Sequence, residues 1–340
     1  KLTRVPPNYP DGYVLPAGAN VNAYPDRGWT FTESCWASMS KPRDLTIDLG
    51  LLDVEALGQF GFPRAGVIKQ CTQSGGRLPP PTPDDFATMI RVKTFTNGDD
   101  DLPLVIHLYG DAFASKMGLV QRLDYSNLQW GAAEARQLIR VLPYLTKLTT
   151  LAMTGNAFSG TEAQQLAAAV VALPYMETFS GIPISELRAG SPTTVDLRRK
   201  SLGCIEAMVL MHVLRTSSVT SVNLLTNNFD FETAAELAAV GAERGISLCG
   251  ITHNQTKVDF GKRQLSPSDL VLIASDLSIG VGSSVVECRC DEISMDDVAH
   301  ASIHLCLCLP LTLACSFFCS LRDNKLGTEG WCTIFMTLRN

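Results

Sequence analysis

The chain has 340 residues, of which 46% are hydrophobic and 18% are charged, and its formal net charge is -6. This hydrophobic content can fill substantial cores, which argues against a chain that is disordered over most of its length. The negative net charge provides no general attraction for nucleic acid or for an anionic membrane, so we expect neither as a partner.

Residues 1–117 show no internal repeat and predict a separate, smaller α/β module. Residues 44–49 (DLTIDL) alternate like a strand, and the run at 75–83 (GGRLPPPTP) predicts a loop. Thr82 to Asp85 then predict the start of a helix that runs toward Val92, because a capping hydroxyl precedes a proline and two carboxylates.

The segment YPDRGWTFTESCW predicts a helix in this module. Glu33 and Trp36 follow Trp29 by four and seven residues, which places all three on one helix face. This spacing resembles the aromatic and acidic pair in a late helix of Toll/interleukin-1 receptor (TIR) domains, some of which cleave NAD with the glutamate. The resemblance implies that Glu33 would be the catalytic carboxylate. The alternative, which we favour, is a structural helix with both tryptophans in a core and Glu33 paired with Arg27 or solvated.

From about residue 118 an apolar pattern recurs along the chain. The pattern is an apolar residue, an anchor two positions later, and another apolar residue five positions after the anchor. The six copies run from Leu123 to Leu128, Met153 to Phe158, Leu197 to Leu202, Leu224 to Phe229, Phe260 to Leu265 and Leu321 to Leu326.

The alternating apolar residues predict short strands whose inward side chains stack from copy to copy. Asn156, Asn227 and Asn324 each follow an anchor by three residues. Since an asparagine amide offers both donors and an acceptor, we expect these side chains to tie neighbouring turns together.

A helical pattern follows each strand. The predicted helices are 131–145, 159–173, 203–214, 231–244, 266–277 and 327–338. The anchor spacings are 30, 44, 27, 36 and 61 residues, obtained by subtracting successive anchor numbers. The 44-residue interval contains METFSGIPISEL, and the 36-residue interval contains ISLCGITHNQ. We interpret each of these segments as a strand without a full helix.

The strand, asparagine and helix pattern resembles the ribonuclease-inhibitor type of leucine-rich repeat, which also occurs in intracellular nucleotide-binding immune receptors. The resemblance covers residues 118–279 and 318–340. It implies an α/β fold, a solenoid of short parallel strands and helices, and a non-catalytic scaffold that binds a protein partner on its strand face. No cofactor or metal is expected. From the alternation, the outward residues are Arg122, Asp124, Ala152, Thr154, Asp196, Arg198, Asn223, Leu225, Asp259 and Gly261.

Residues 280–319 interrupt the pattern, and 320–340 resume it as a final partial repeat. We interpret 280–319 as a disordered or aberrant insertion, because removing roughly 33 residues would restore a repeat-sized spacing. The uncharged run at 303–321 leaves a membrane-anchored receptor as an alternative. A zinc site is less favoured, because Cys288 and Cys290 lie too close in sequence for usual paired ligands.

The chain lacks the glycine-rich phosphate loop, the dinucleotide fingerprint and the H-E-x-x-H helix, so we expect no enzyme activity. The eleven cysteines do not have the spacing of a disulfide framework, and the sequence shows no export signal. Together these observations predict free thiols and a cytoplasmic location.

Overall fold

The computed structural model describes residues 22, 24–40, 78–190, 193–252, 255–260, 265–278 and 287–289. The chain divides into two compact units, Lys1–Met176 and Glu177–Asn340, which we call the N-terminal unit and the C-terminal unit. Both units combine helices with short parallel strands, which confirms the predicted α/β class.

The N-terminal unit begins with a 3-10 helix, Tyr24–Asp26, and the helices α1 (Gly28–Ser40), α2 (Pro83–Ile90) and α3 (Gly98–Met117). The start of α2 is confirmed, since the Thr82 hydroxyl accepts a hydrogen bond from the Asp85 amide at 3.2 Å.

Helix α3 was not predicted, although its sequence carries a helical signal. Val105, Tyr109, Phe113 and Met117 recur every four residues, and all four are fully buried. Pro103, the sixth residue of the helix, obscures this series in the sequence, because an interior proline removes one backbone hydrogen bond and usually interrupts a helix.

A row of aromatic rings joins these three helices to the following part of the N-terminal unit. The rings of Phe31, Phe86, Tyr109, Phe113 and Tyr144 contact in that order, with centroid separations of 6.1, 3.9, 6.0 and 5.2 Å. The Tyr109 hydroxyl donates to the Pro81 carbonyl at 2.7 Å, and burial raises the pKa of this tyrosine. These helices therefore pack against the segment that contains the first strand and helix pair of the unit.

The first two copies of the pattern follow in the same unit. Strand β1 (Arg122–Asp124) leads to α4 (Ala132–Val141) and a 3-10 turn (Leu142–Tyr144), and β2 (Thr150–Ala152) leads to α5 (Gly160–Val171). The two strands are parallel, and α4 packs against α5.

The side chains predicted to face inward from α5 are mostly confirmed. Four of them are fully buried, namely Ala163, Leu166, Ala167 and Val170, whereas Leu173 lies after the helix and is half-buried.

The register predicted for the first copy is wrong by two residues. Leu123 pairs with Leu151, and the Tyr125 amide donates to the Ala152 carbonyl at 2.8 Å, so Tyr125 corresponds to the anchor Met153. The spacing between the true anchors is 28, from 153 minus 125. Leu123 and Tyr125 point the same way from the strand and are both buried, so the alternation alone does not separate them, although Gln121, two residues before Leu123, is polar.

The C-terminal unit opens with an antiparallel hairpin of β3 (Thr178–Phe179) and β4 (Ile182–Pro183), followed by α6 (Ile184–Ala189). We predicted a strand without a full helix here, and the structure adds a second strand and a six-residue helix. Gly181, at φ 82°, lies in the hairpin turn, where a glycine is favoured.

The rest of the C-terminal unit alternates between strands and helices. Its elements are β5 (Thr194–Asp196), α7 (Cys204–Leu214), β6 (Ser221–Asn223), α8 (Phe231–Arg244), β7 (Lys257–Asp259), α9 (Pro267–Ser278) and β8 (Glu287–Arg289). Strands β5 and β6 are parallel, α8 packs against α7 and α9, and the predicted helix 231–244 matches α8 at both ends.

The segment 246–252 confirms a strand-like connection without a helix. Single bridges join Ser247 to Ser221 and Cys249 to Asn223, on the side of β6 away from β5. The interval between the fourth and fifth anchors is therefore long because it contains an extra strand-like segment.

Within residues 280–319, which we interpret as an insertion, the structure describes one strand, β8, so the interpretation of the whole segment stays a prediction. The three residues of β8 pair in parallel with β7, with Lys257 opposite Glu287. The offset between paired residues is 30, from 287 minus 257. Strand β8 was not predicted, because the segment lacks a clear anchor leucine.

Several other predictions lie outside the described residues, including the strand at 44–49, Asn324, the partial repeat at 320–340 and the uncharged run at 303–321. Within the part of the chain that the structure describes, no helix is long and apolar enough to cross a membrane.

Candidate functional site

The strands of each unit end in turns that are tied together by asparagine side chains. The Asn156 carbonyl oxygen accepts hydrogen bonds from the backbone amides of Leu128 and Trp130 at 3.0 and 3.1 Å. Its amide nitrogen donates to the carbonyls of Tyr125 and Met153 at 2.8 and 2.7 Å. Three of these bonds join this turn to the preceding turn, and the fourth, to Met153, closes the turn of Asn156 itself.

Asn227 forms the same arrangement in the C-terminal unit. Its carbonyl oxygen accepts from the amides of Lys200 and Leu202 at 3.0 and 3.2 Å. Its amide nitrogen donates to the carbonyls of Leu197 and Leu224 at 2.9 and 2.7 Å. The predicted role of both asparagines is confirmed, and the two units share one turn geometry.

The second position after the anchors Tyr125, Met153, Leu197 and Leu224 has a left-handed backbone. The residues there are Asn127, Gly155, Arg199 and Thr226, with φ of 54°, 74°, 54° and 60°. Glycine and asparagine tolerate this conformation, whereas it is unfavourable for a β-branched threonine. Thr226 is held in it because its amide donates to the Asp269 carboxylate at 2.8 Å.

We therefore expect Thr226→Asn to raise the free energy of unfolding by about 1 kcal/mol, since it removes much of the left-handed penalty and leaves the backbone bond intact. Chemical denaturation would measure the change. Arg199→Asn is a matched control with a smaller expected gain, because arginine is not β-branched. A fall in stability for Thr226→Asn would contradict this reading of the turn.

Three of the predicted contact residues have a structural role at the strand ends. The side-chain oxygens of Asp124, Asp196 and Asn223 accept hydrogen bonds from the backbone amide two residues later, at 2.9, 3.1 and 3.3 Å. Such local bonds stabilise turns. These three side chains therefore stabilise the strand-end turns as well as forming part of the surface.

Five of the nine predicted contact residues that the structure describes are exposed. Arg122, Asp124, Asp196, Arg198 and Asp259 are exposed, and Ala152, Thr154 and Asn223 are half-buried. Gly261 lies outside the described residues.

Leu225 was predicted to face outward, and this is wrong, because it is only 1% exposed. Strand β6 ends at Asn223, so the alternation of side-chain direction no longer applies two residues further on.

Asp196 and Arg198 form an exposed ion pair on the C-terminal unit. The Arg198 guanidinium contacts both carboxylate oxygens, with its Nη2 at 2.6 Å from Oδ2. The hydrogen bonds from Arg198 lower the pKa of Asp196. Since exposed pairs contribute little to stability, this pair serves mainly to fix the direction of two charged groups on the surface.

Buried carboxylates at the starts of two helices were not found from the sequence. Glu206 accepts from the Gly203 amide at 2.9 Å and from the Ser180 hydroxyl at 2.8 Å. Asp269 accepts from the Ser266 amide at 2.8 Å as well as from Thr226. Burial raises the pKa of both acids. The capping pattern of a glycine or serine followed three residues later by an acid could have revealed them.

Asp276, in α9, is a third buried carboxylate and holds the segment 246–252 in place. It accepts from the amides of Leu248 and Cys249, both at 2.8 Å, and from the Ser247 hydroxyl at 2.6 Å. These donors favour the charged form, but burial outweighs them and raises the pKa of Asp276 to about 6.

This pKa gives a pH dependence of stability. Between pH 3.8 and about 6 the folded chain keeps a proton on Asp276 that the unfolded chain has lost, so the free energy of unfolding falls as the pH rises through this window. Asp276→Asn should make the fall shallower, as measured by denaturation at several pH values. Glu206 and Asp269 remain in both proteins, so the difference reports Asp276. Equal slopes would contradict the assignment.

The helix predicted around Glu33 is confirmed as α1, but core packing of both tryptophans is not. Trp29 is 39% exposed, and its indole nitrogen donates to the Asp101 carboxylate at 3.1 Å. Trp36 is half-buried and Glu33 is exposed. Arg27, the partner suggested for Glu33, donates from its Nε to the Asn22 carbonyl at 2.8 Å.

Within the described residues, no group of three or more histidine, cysteine, aspartate or glutamate side chains is placed to hold a metal ion. Among the described residues, Cys35, Cys204 and Cys249 form no disulfide bond. Burial raises the pKa of Cys204, which disfavours its reactive thiolate form. No protein-family model matches the chain, and no curated protein matches it in sequence.

Proposed function

We propose that the chain is a leucine-rich repeat solenoid that binds a protein partner through the exposed side chains of its strands and strand-end turns. The observation that carries this proposal is the asparagine with four hydrogen bonds, which is found in both units with backbone partners at equivalent positions relative to the anchors. A rigid turn of this kind presents side chains from successive strands at fixed positions, which lowers the entropy cost of binding.

The chemistry of the exposed side chains favours a protein partner. Arg122 and Asp124 lie together on β1, and Asp196 and Arg198 lie together at the end of β5. Charges of both signs are therefore present in each unit, and a polyanion would meet repulsion in both. A protein surface with its own mixed charges can match them, which favours specificity and register. The proposed binding needs no cofactor and no catalytic residue.

Arg122 and Arg198 are the best positions for a test, because neither side chain closes a turn. We propose to compare the parent with Arg122→Glu and Arg198→Glu in proximity labelling and in affinity capture from cells. Matched controls are Arg91→Glu, after α2, and Arg215→Glu, after α7; both arginines are exposed and lie away from the strands.

The expected result is a partner that the parent and both control variants retain and that at least one strand variant loses. Circular dichroism would show that all four variants are folded. The proposal fails if no partner distinguishes the strand variants from the control variants, or if recovered proteins are released equally by all four substitutions.

A further inference from the structure

We infer that Ser201 is a phosphorylation site for a protein kinase that selects arginines before its acceptor hydroxyl, and that the phosphate neutralises the basic turn after β5. The modification is an inference about Ser201 alone. Its consequence for binding rests on the proposed function, since the same turn carries the predicted contact residue Arg198.

The sequence and the exposure of this turn carry the inference. Residues 198–201 read Arg-Arg-Lys-Ser, so arginines stand three and two residues before the serine. All four residues are exposed. The turn lies between β5 and α7, two residues before Gly203 at the helix start. Exposed turns between regular elements are where modifying enzymes gain access.

Charge selection of this kind has a direct physical basis. A kinase groove that carries carboxylates binds two guanidinium groups through charge-assisted hydrogen bonds, which position the hydroxyl that follows them. The γ-phosphoryl group of ATP then passes to Ser201 Oγ. An O–P bond forms, the bond from the γ-phosphorus to the bridging oxygen breaks, ADP leaves, and the hydroxyl proton passes to the base of the kinase.

The phosphate would change the charge of this turn. Asp196 contributes one negative charge, and Arg198, Arg199 and Lys200 contribute three positive charges, which leaves a net +2. A phosphoserine adds about -1.5 to -2, so the turn becomes nearly neutral. The new anion also competes with Asp196 for the Arg198 guanidinium, which now contacts the Asp196 oxygens at 2.6 to 3.1 Å.

The chain contains its own control for accessibility. Ser159 lies in the equivalent turn of the N-terminal unit, directly before α5, and is also exposed. The three residues before it are Asn156, Ala157 and Phe158, which carry no charge. A kinase that selects arginines before its acceptor serine should therefore modify Ser201 and not Ser159, although both serines lie in exposed turns between a strand and a helix.

The test uses the purified full chain, ATP and the catalytic domain of an arginine-selecting serine kinase, with sites assigned by mass spectrometry of peptides. We expect phosphate on Ser201 and none on Ser159. Arg199→Gln should slow the reaction by about tenfold or more, as loss of one charge-assisted hydrogen bond implies, whereas Lys200→Gln should leave it within about twofold.

The inference is overturned if the folded chain gains no phosphate on Ser201, or if Arg199→Gln reacts as fast as the parent. Because the readout is covalent phosphate, it does not depend on whether a partner binds the strands. Phosphorylation at Ser201 together with failure of the capture experiment would therefore count against the proposed function and leave the modification site intact.

Discussion

Replacing Asn227 with alanine is expected to lower the free energy of unfolding by about 3 to 5 kcal/mol, because backbone groups in a packed turn would lose their hydrogen-bond partners. Four groups are affected: the amides of Lys200 and Leu202 and the carbonyls of Leu197 and Leu224. The measurement is the midpoint and slope of urea denaturation, followed by circular dichroism.

Three further variants make this prediction specific. Asn228→Ala removes an exposed side chain next in sequence and should change stability by less than about 0.5 kcal/mol. Asn227→Asp keeps the acceptor and removes the two donors, so its cost should also be large. Asn156→Ala should cost less than Asn227→Ala, because Asn156 is half-buried whereas Asn227 is 6% exposed. If Asn227→Ala and Asn228→Ala were equally stable, the turns would not depend on this side chain.

Leu224→Ala is expected to cost about 2 to 5 kcal/mol, the range for truncating a large apolar side chain in a packed core. Leu224 has no exposed surface, and its equivalent on the neighbouring strand, Leu197, is 2% exposed. The loss should lower the denaturation midpoint and should reduce binding only through unfolding.

The matched control for this prediction is Leu119→Ala. Leu119 is 63% exposed, so its truncation leaves no cavity and should alter stability by less than about 0.5 kcal/mol. An unchanged midpoint for Leu224→Ala would show that this leucine is not a core residue, and the assignment of the fourth anchor would then be wrong.

The sequence predicted those parts of the fold that depend on apolar spacing. The five predicted anchors within the described residues are all buried, namely Leu123, Met153, Leu197, Leu224 and Phe260, and so are the apolar residues five positions after them. Whether these anchors form one continuous column through the chain stays a prediction.

The register of a strand and the direction of a side chain at its end were harder to predict than burial. Leu123 was assigned as an anchor in place of Tyr125 because a shift of two residues preserves the alternation of a strand. Leu225 was assigned outward because the end of β6 could not be located to within two residues.

Long-range polar contacts were not predictable from local spacing. The Asp276 carboxylate bonds to residues 27 to 29 positions earlier, and nothing near Asp276 in the sequence marks it as a partner. The asparagines were an exception, because their position relative to the anchor is itself periodic and their amide chemistry suggested the contacts.

The asparagine bonds also bear on how the C-terminal unit opens. The turn that contains Lys200 and Leu202 is closed by a side chain from the next copy of the pattern, 25 to 27 residues further on. These two amide protons can therefore exchange with solvent only when the following turn has moved away. Hydrogen exchange at Lys200 and Leu202 should match the rate for the β6 amides, so that neighbouring copies unfold together and not one at a time.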